Sequence, residues 1–275
     1  MIFFEQEKAR RNTDGERNAL RLIGQDMQIM NPLFFRAIEG RDSRALAAVA
    51  VRQAEAGADA LDLNLGPAKK NGGLLTWAVE TILAATQLPL FVASQILSQP
   101  ALLRKHGDKL TVNSVTADPM TLATDMEKVR DCGAKLVVLL ARPGLSPFTA
   151  DDRLQLAAEV LETATRTNFP LKKLYVDPLF RPSPDPVRQG LPDIDPVLET
   201  LAALPLLSQE KVPSLLALSS ASTFLPAAKR PAFHHRLLPL LAAAGLDAVI
   251  LNCNDRTLMD IARSDAAMRP FLAVA

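Results

Sequence analysis

The chain has 275 residues, 48% of them hydrophobic, and sets 31 Lys and Arg against 30 Asp and Glu for a net charge of +1. That length holds one large α/β barrel or two small domains, and the balanced charge and 5% aromatic content exclude a basic or base-stacking nucleic-acid surface. No apolar run reaches the length of a membrane span, Met1-Ile-Phe-Phe4 turns charged at Glu5, and two distant cysteines, Cys132 and Cys253, make no metal or disulfide framework, so a cytoplasmic, reduced protein is expected.

Residues 1–19 are charged and aperiodic and read as an N-terminal arm before one domain spanning 20–275. Apolar runs of strand length follow at 20–24, 58–64, 89–93, 109–113, 135–141, 172–177, 214–219 and 247–252. Helical spacing separates them at 43–56, 74–85, 119–132, 151–165, 195–207 and 231–244. Asp42-Ser43 can cap the first long helix, and Thr149, Asp151 and Asp152 suit the start of another, where the helix dipole favours acid. Gly57, Gly133 and Gly245 each end a helix before a strand, as left-handed C-caps do. That repeated joint marks βα units, and eight of them in about 250 residues argue for a single (β/α)8 TIM barrel. A doubly wound sheet would normally carry a Gly-rich fingerprint after an early strand, and the sequence has none. The proline-rich loop 180–196 reads as a stiff irregular segment on the catalytic face, a lid, a partner surface or a plain loop.

The most informative strand is 58–64. Asp62 and Asn64 lie two apart and share one face, and Gly66-Pro67 stops the strand. Polar groups at the C-terminal end of a barrel strand are the material of a binding site. In a barrel they would be joined by Ser94 and Gln95, Asn113 and Ser114, Arg142, Asp177, Ser219 and Ser220, and Asn252 and Asn254. The ring contains no His and no Cys–His pair, so it suits neither a tight transition-metal site nor an activated nucleophile. It offers fixed hydrogen-bond donors and acceptors, which fit a flat nitrogen heterocycle such as a pterin. Bland readings stand beside this one: Ser219 and Ser220 as helix caps, Arg142 and Lys69-Lys70 as solvated loop cations, His234-His235 as capping or surface groups, and Cys253 as a packing residue.

Asp62-Leu-Asn-Leu-Gly-Pro67, Val112-Asn-Ser114, Leu174-Tyr-Val-Asp-Pro-Leu179, Leu216-Ala-Leu-Ser219 and Gly245-Leu-Asp-Ala248 occur in order along nearly the whole chain. Together they resemble the methyltetrahydrofolate:corrinoid/iron-sulfur protein methyltransferase family, pterin-binding barrels related to dihydropteroate synthase. The resemblance implies methyl transfer between methyltetrahydrofolate and the cobalt of cobalamin carried by a partner corrinoid protein, such as a corrinoid iron-sulfur protein, with the chain itself a homodimer. It implies that Asn113 and Asp177 hold the pterin's pyrimidine edge, where a carboxylate accepts two parallel N–H bonds. It places Ser220 at the position facing N5, the methyl-bearing nitrogen, whose protonation makes a better leaving group. Asn64, Asp62 and Ser219 would shape the site.

Two departures from the family pattern matter most. Ala93 stands where the family has a strand-three Asp, and Ser220 where it has an Asn; Gln25-Asp26 also replaces Glu-Arg. Ser94 or Gln95 is expected to take over part of the missing strand-three contact. Losing one charged hydrogen bond costs about 1.5–3 kcal/mol, roughly 10- to 150-fold in affinity. A barrel that binds or scaffolds without turnover is therefore one alternative. A dihydropteroate-synthase-like enzyme is the other, disfavoured because the later strands carry no basic group suited to pyrophosphate.

Overall fold

The computed structural model describes residues 20–66, 72–181 and 194–264. The arm at 1–19, Lys69-Lys70 and most of the proline-rich loop lie outside the described residues.

Eight parallel strands form one sheet: β1 (Arg21–Gln28), β2 (Ala60–Asn64), β3 (Leu90–Val92), β4 (Leu110–Thr116), β5 (Lys135–Leu139), β6 (Leu174–Asp177), β7 (Leu215–Ala217) and β8 (Ala248–Leu251). The strand order is β6-β5-β4-β3-β2-β1-β8-β7. A bridge between Val176 and Ser214, with the Val176 N–H donating to the Pro213 carbonyl at 2.9 Å, joins the two ends. The result is a (β/α)8 barrel, with α1 (Pro32–Glu39), α2 (Ser43–Glu55), α3 (Gly72–Ala85), α4 (Pro100–Lys105), α5 (Leu122–Asp131), α6 (Ala150–Arg166), α7 (Asp195–Ala203), α8 (Leu218–Ala221), α9 (Arg230–Ala243) and α10 (Arg256–Arg263) around it. Among the described residues no helix is long and apolar enough to cross a membrane.

Alternation along the strands divides the core in two. Ile23, Ala60, Phe91, Val137, Tyr175, Leu215, Ala248 and Ile250 fill the barrel, where Phe91 and Tyr175 meet edge to face at 5.8 Å. Their strand neighbours Leu22, Leu61, Val92, Leu136 and Val249 face outward into the larger layer beneath the helices. The interior is thus a packed plug, and polar chemistry is left to the strand ends.

Local chemistry explains the joints. Asp42 accepts bonds from the Arg44 and Ala45 N–H groups and caps α2. Thr149 and Asp152 form a reciprocal capping box at α6. Gly57, Gly133 and Gly245 have φ of 93°, 74° and 101°, the left-handed C-caps expected.

Several boundaries differ from expectation. β1 continues past Gly24 to Gln28, with a register slip between Gly24 and Met27. Its polar end is satisfied from outside: the Asp26 N–H donates to Gln53 Oε1 at 2.9 Å, and Asn254 bonds the Asp26 carboxylate. A short α1 opens with Asn31 as cap and Pro32 in its first turn. α5 starts at Leu122 because Asp118 accepts the Met120 N–H in a preceding turn. The stretch expected as one helix at 195–207 ends as a helix at Ala203 and passes into a 3-10 turn at Leu204–Leu206.

Candidate functional site

The strand C-termini surround a cavity of about 300 Å³. β1 contributes Gln25 and Gln28, β2 Asp62 and Asn64, β4 Asn113 and Ser114, and β6 Asp177 with Leu179 and Phe180 after it. Ala217, Ser219 and Ser220 complete the wall from the β7 side, over Leu139, Leu216 and Ile250. Of the residues expected in a site, Asp62, Asn64, Asn113, Asp177, Ser219 and Ser220 are brought together here. Ser94 is exposed, opens the 3-10 turn Ser94–Ser98 and does not line the cavity. No residue of β3 lines it, because that strand ends at Val92 and the chain turns away.

Asp177 is set by a tight turn. Its Oδ1 accepts the Leu179 N–H at 2.8 Å, and Leu179 adopts φ of 60°. That left-handed conformation costs a non-glycine residue about 1–2 kcal/mol, so the surroundings must hold it. Arg153 does so from beneath: wholly buried on α6, it donates to the carbonyls of Pro178 at 2.7 Å and Leu179 at 3.2 Å, and to Phe148 and Thr149 at 3.0 and 2.9 Å. Burial pushes the Asp177 carboxyl up to about 7, the Leu179 N–H opposing.

Asp62 accepts the Asn113 side-chain N–H through Oδ1 at 3.0 Å. Burial pushes its carboxyl up to about 6 against that bond. β4 slips register against β5 between Asn113 and Val115, where the Asn113–Ser114 peptide is cis. Asn64 turns its Oδ1 back to the Gly66 N–H at 2.9 Å and builds the turn after β2. Ser219 and Ser220 do not cap α8: the cap is Ala217, which makes no side-chain cap bond.

Sequence reasoning missed Gln25, Gln28 and Arg153. Gln25 follows Ile23 at strand period two, a signal that was available had β1 been extended. Gln25 Oε1 is buried without a hydrogen-bond partner among the described residues. Arg153 gives no local signal of this role, since the carbonyls it holds under the Asp177 turn, those of Pro178 and Leu179, are distant in sequence. The remaining candidates are accounted for elsewhere. Arg142 pairs with Glu159 at 2.8 Å, His234 bonds the Ser222 hydroxyl at 2.8 Å, and His235 bonds Asp255 at 2.8 Å. Burial pushes the Cys253 thiol up to about 12, consistent with an inert packing group. Among the described residues no three His, Cys, Asp or Glu side chains gather as a metal site.

Chemically, the wall offers two carboxyl groups poised near neutrality, amides and hydroxyls, and among the described residues no Lys or Arg. It fits a compact ligand rich in N–H donors.

No protein-family model matches the chain. It is 24% identical over 258 residues to a methylcorrinoid:tetrahydrofolate methyltransferase of Eubacterium limosum, covering 86% of this chain and 87% of the relative. Solved structures with the same fold include dihydropteroate synthase of Stenotrophomonas maltophilia with active site-bound imidazole (TM-score 0.66, 15% identity, 90% of this chain and 91% of that one). The Xanthomonas albilineans synthase in complex with 7,8-dihydropteroate is another (TM-score 0.60, 17% identity, 89% and 91%). The chain is therefore similar to a tetrahydrofolate–corrinoid methyltransferase over most of its length, on the barrel fold shared with dihydropteroate synthase.

Proposed function

We propose that this chain moves a methyl group between methyltetrahydrofolate and the cobalt of a corrinoid held by a partner protein. The observation that carries the reading is the meeting of Asn113 and Asp177 in one cavity at the barrel mouth, in a chain similar to such a methyltransferase. A pterin's aminopyrimidine edge presents parallel N–H groups, and a carboxylate accepts them as a pair. A cavity of about 300 Å³ matches a bicyclic ring, leaving the rest of the folate outside. The absence of Lys and Arg from the described wall favours this substrate over a pyrophosphate-bearing pterin.

In this reading Asp177 and Asn113 fix the ring, Ser220 faces N5, and Asp62, Asn64 and Ser219 shape the wall. The corrinoid supplies the cobalt that gives or takes the methyl group. When N5 loses the methyl group, the bonding pair stays on nitrogen and a proton replaces the methyl; in the other direction that proton leaves. Ser220 is exposed on the first turn after β7 and lines the cavity, and in this reading its hydroxyl holds that proton's position. Exposed Met30, Met120, Phe148 and Phe224 all lie on loops that follow strand C-termini, apolar surface on the side where the proposal docks the partner protein. A homodimer is part of the same proposal.

The test is absorbance-monitored transfer between methyltetrahydrofolate and cob(I)alamin, run in both directions with purified protein. Turnover that depends on Asp177 is expected; none in either direction, with free cobalamin or with a corrinoid protein, removes the transferase reading. A pterin-binding protein without turnover is the second reading, favoured by the bare strand-three side of the wall. Ala93→Asp and Ser220→Asn decide between them: where the native protein is active, a rate unchanged or lowered by both supports a rewired enzyme, whereas activity gained from nothing supports decay.

A further inference from the structure

β2 and β4 are not neighbours in the sheet; β3 lies between them. Yet Asp62 on β2 and Asn113 on β4 are hydrogen-bonded at 3.0 Å, across the top of a strand that contributes nothing to the cavity wall. An ionised carboxylate can only accept, so the bond turns the Asn113 nitrogen toward Asp62 and the amide oxygen away from it. Asparagine alone has no such preference, because its two ends are nearly the same shape.

We infer that Asp62 is a positioning residue: it fixes the Asn113 amide so that its oxygen is the atom offered to the N–H groups of a bound pterin. The small Ala93 side chain on the intervening element makes no competing polar contact for Asn113. Asp62 thus acts through Asn113, where the sequence reading expected Ser94 or Gln95 to make up for the missing strand-three carboxylate. The inference rests on the pterin reading of the cavity for its consequence, but the fixed amide is a property of the ligand-free protein.

Two measurements separate these. In the ligand-free protein, the side-chain amide signals of Asn113 are followed by nuclear magnetic resonance, assigned by their loss in Asn113→Ala. Asp62→Leu is expected to shift them, and Asp62→Asn, whose oxygen still accepts, to leave them near the native position. Unchanged signals in Asp62→Leu overturn the inference whether or not a pterin binds. Calorimetric titration with tetrahydrofolate gives the second arm. Asp62→Leu is expected to weaken binding about tenfold, Asp62→Asn less than threefold, and Asp62→Leu less than twofold further in the Asn113→Ala background. Equal loss from Asp62→Leu with and without Asn113 overturns the positioning role. If native protein binds no tetrahydrofolate, the pterin reading fails and the amide signals alone decide.

Discussion

The two ends of the barrel carry similar side chains in different states. At the N-terminal end, Asp59 accepts the Leu22 N–H at 2.7 Å and pairs with Arg263 at 2.8 Å. Asp247 there accepts the Ser214 N–H at 2.9 Å and pairs with Lys211 at 2.5 Å. Both oxygens of each carboxylate are used, and Arg21 bonds the Tyr175 hydroxyl at 3.0 Å. At the mouth, Asp62 and Asp177 each accept one hydrogen bond among the described residues, and Gln25 Oε1 accepts none. Acids paired at one end and short of partners at the other are the contrast that supports the mouth as the proposed ligand site. The cavity at the N-terminal end is larger, about 570 Å³ against about 300 Å³, so the proposal rests on the chemistry of the wall and not on size.

That contrast is broken most severely by Arg153→Met. It leaves the carbonyls under the Asp177 turn without their buried donor, and about 3–4 kcal/mol of stability should go with it. Chemical denaturation should show the loss, and tetrahydrofolate affinity should fall as well, because the Leu179 turn is no longer held. Asp177→Asn separates the two ends more cleanly. Binding should weaken roughly 10- to 150-fold, while the unfolding midpoint holds or rises because a buried carboxylate is gone. Gly107→Ala does the reverse. A Cβ there would lie 1.8 Å from the Cys132 carbonyl oxygen, at the turn entering β4 from the N-terminal end. Overpacking of about 2–3 kcal/mol should lower the melting temperature by roughly 5–10 °C, with affinity per folded molecule unchanged.

Acidity sharpens the comparison further. The folded carboxyls of Asp62 and Asp177, at about 6 and about 7, lie above the usual unfolded value of about 3.9. Between pH ~4 and ~7 the native state therefore binds more protons than the unfolded chain, and stability contributed by these groups declines as pH rises through that window. Urea midpoints of the native protein minus those of the Asp62→Asn, Asp177→Asn double variant should fall from pH 4 to 7 and level off above it. The smallest effect belongs to the solvent-facing pair: Lys211→Met should cost under about 1 kcal/mol in denaturation and leave binding alone.

The fold was legible because the βα joints repeat: helix caps at Asp42 and Thr149 and left-handed glycines at 57, 133 and 245 are local devices that act wherever they occur. The end of β1 was not, because Gln25 and Asp26 look like loop residues in isolation, and Asp26 is held in the strand by Gln53 and Asn254, which arrive from elsewhere. α1 carries the same capping chemistry in Asn31-Pro32, but at eight residues it is too short for helical spacing to mark it. In the site, strand period two gathered Asp62, Asn64, Asn113 and Asp177 correctly in space. It failed at Ser94, where the three-residue β3 ends and alternation no longer tells inside from outside. The support of Asp177 by Arg153, and the Asp62–Asn113 bond over β3, are tertiary and have no counterpart in local pattern.

The most direct test is calorimetric titration of the native protein with tetrahydrofolate beside the Asp177→Asn variant at neutral pH. Micromolar binding by the native protein, lost or greatly weakened in the variant, is the expected result. No heat from the native protein at millimolar ligand, or equal binding by both proteins, contradicts a pterin site built on the mouth carboxylates.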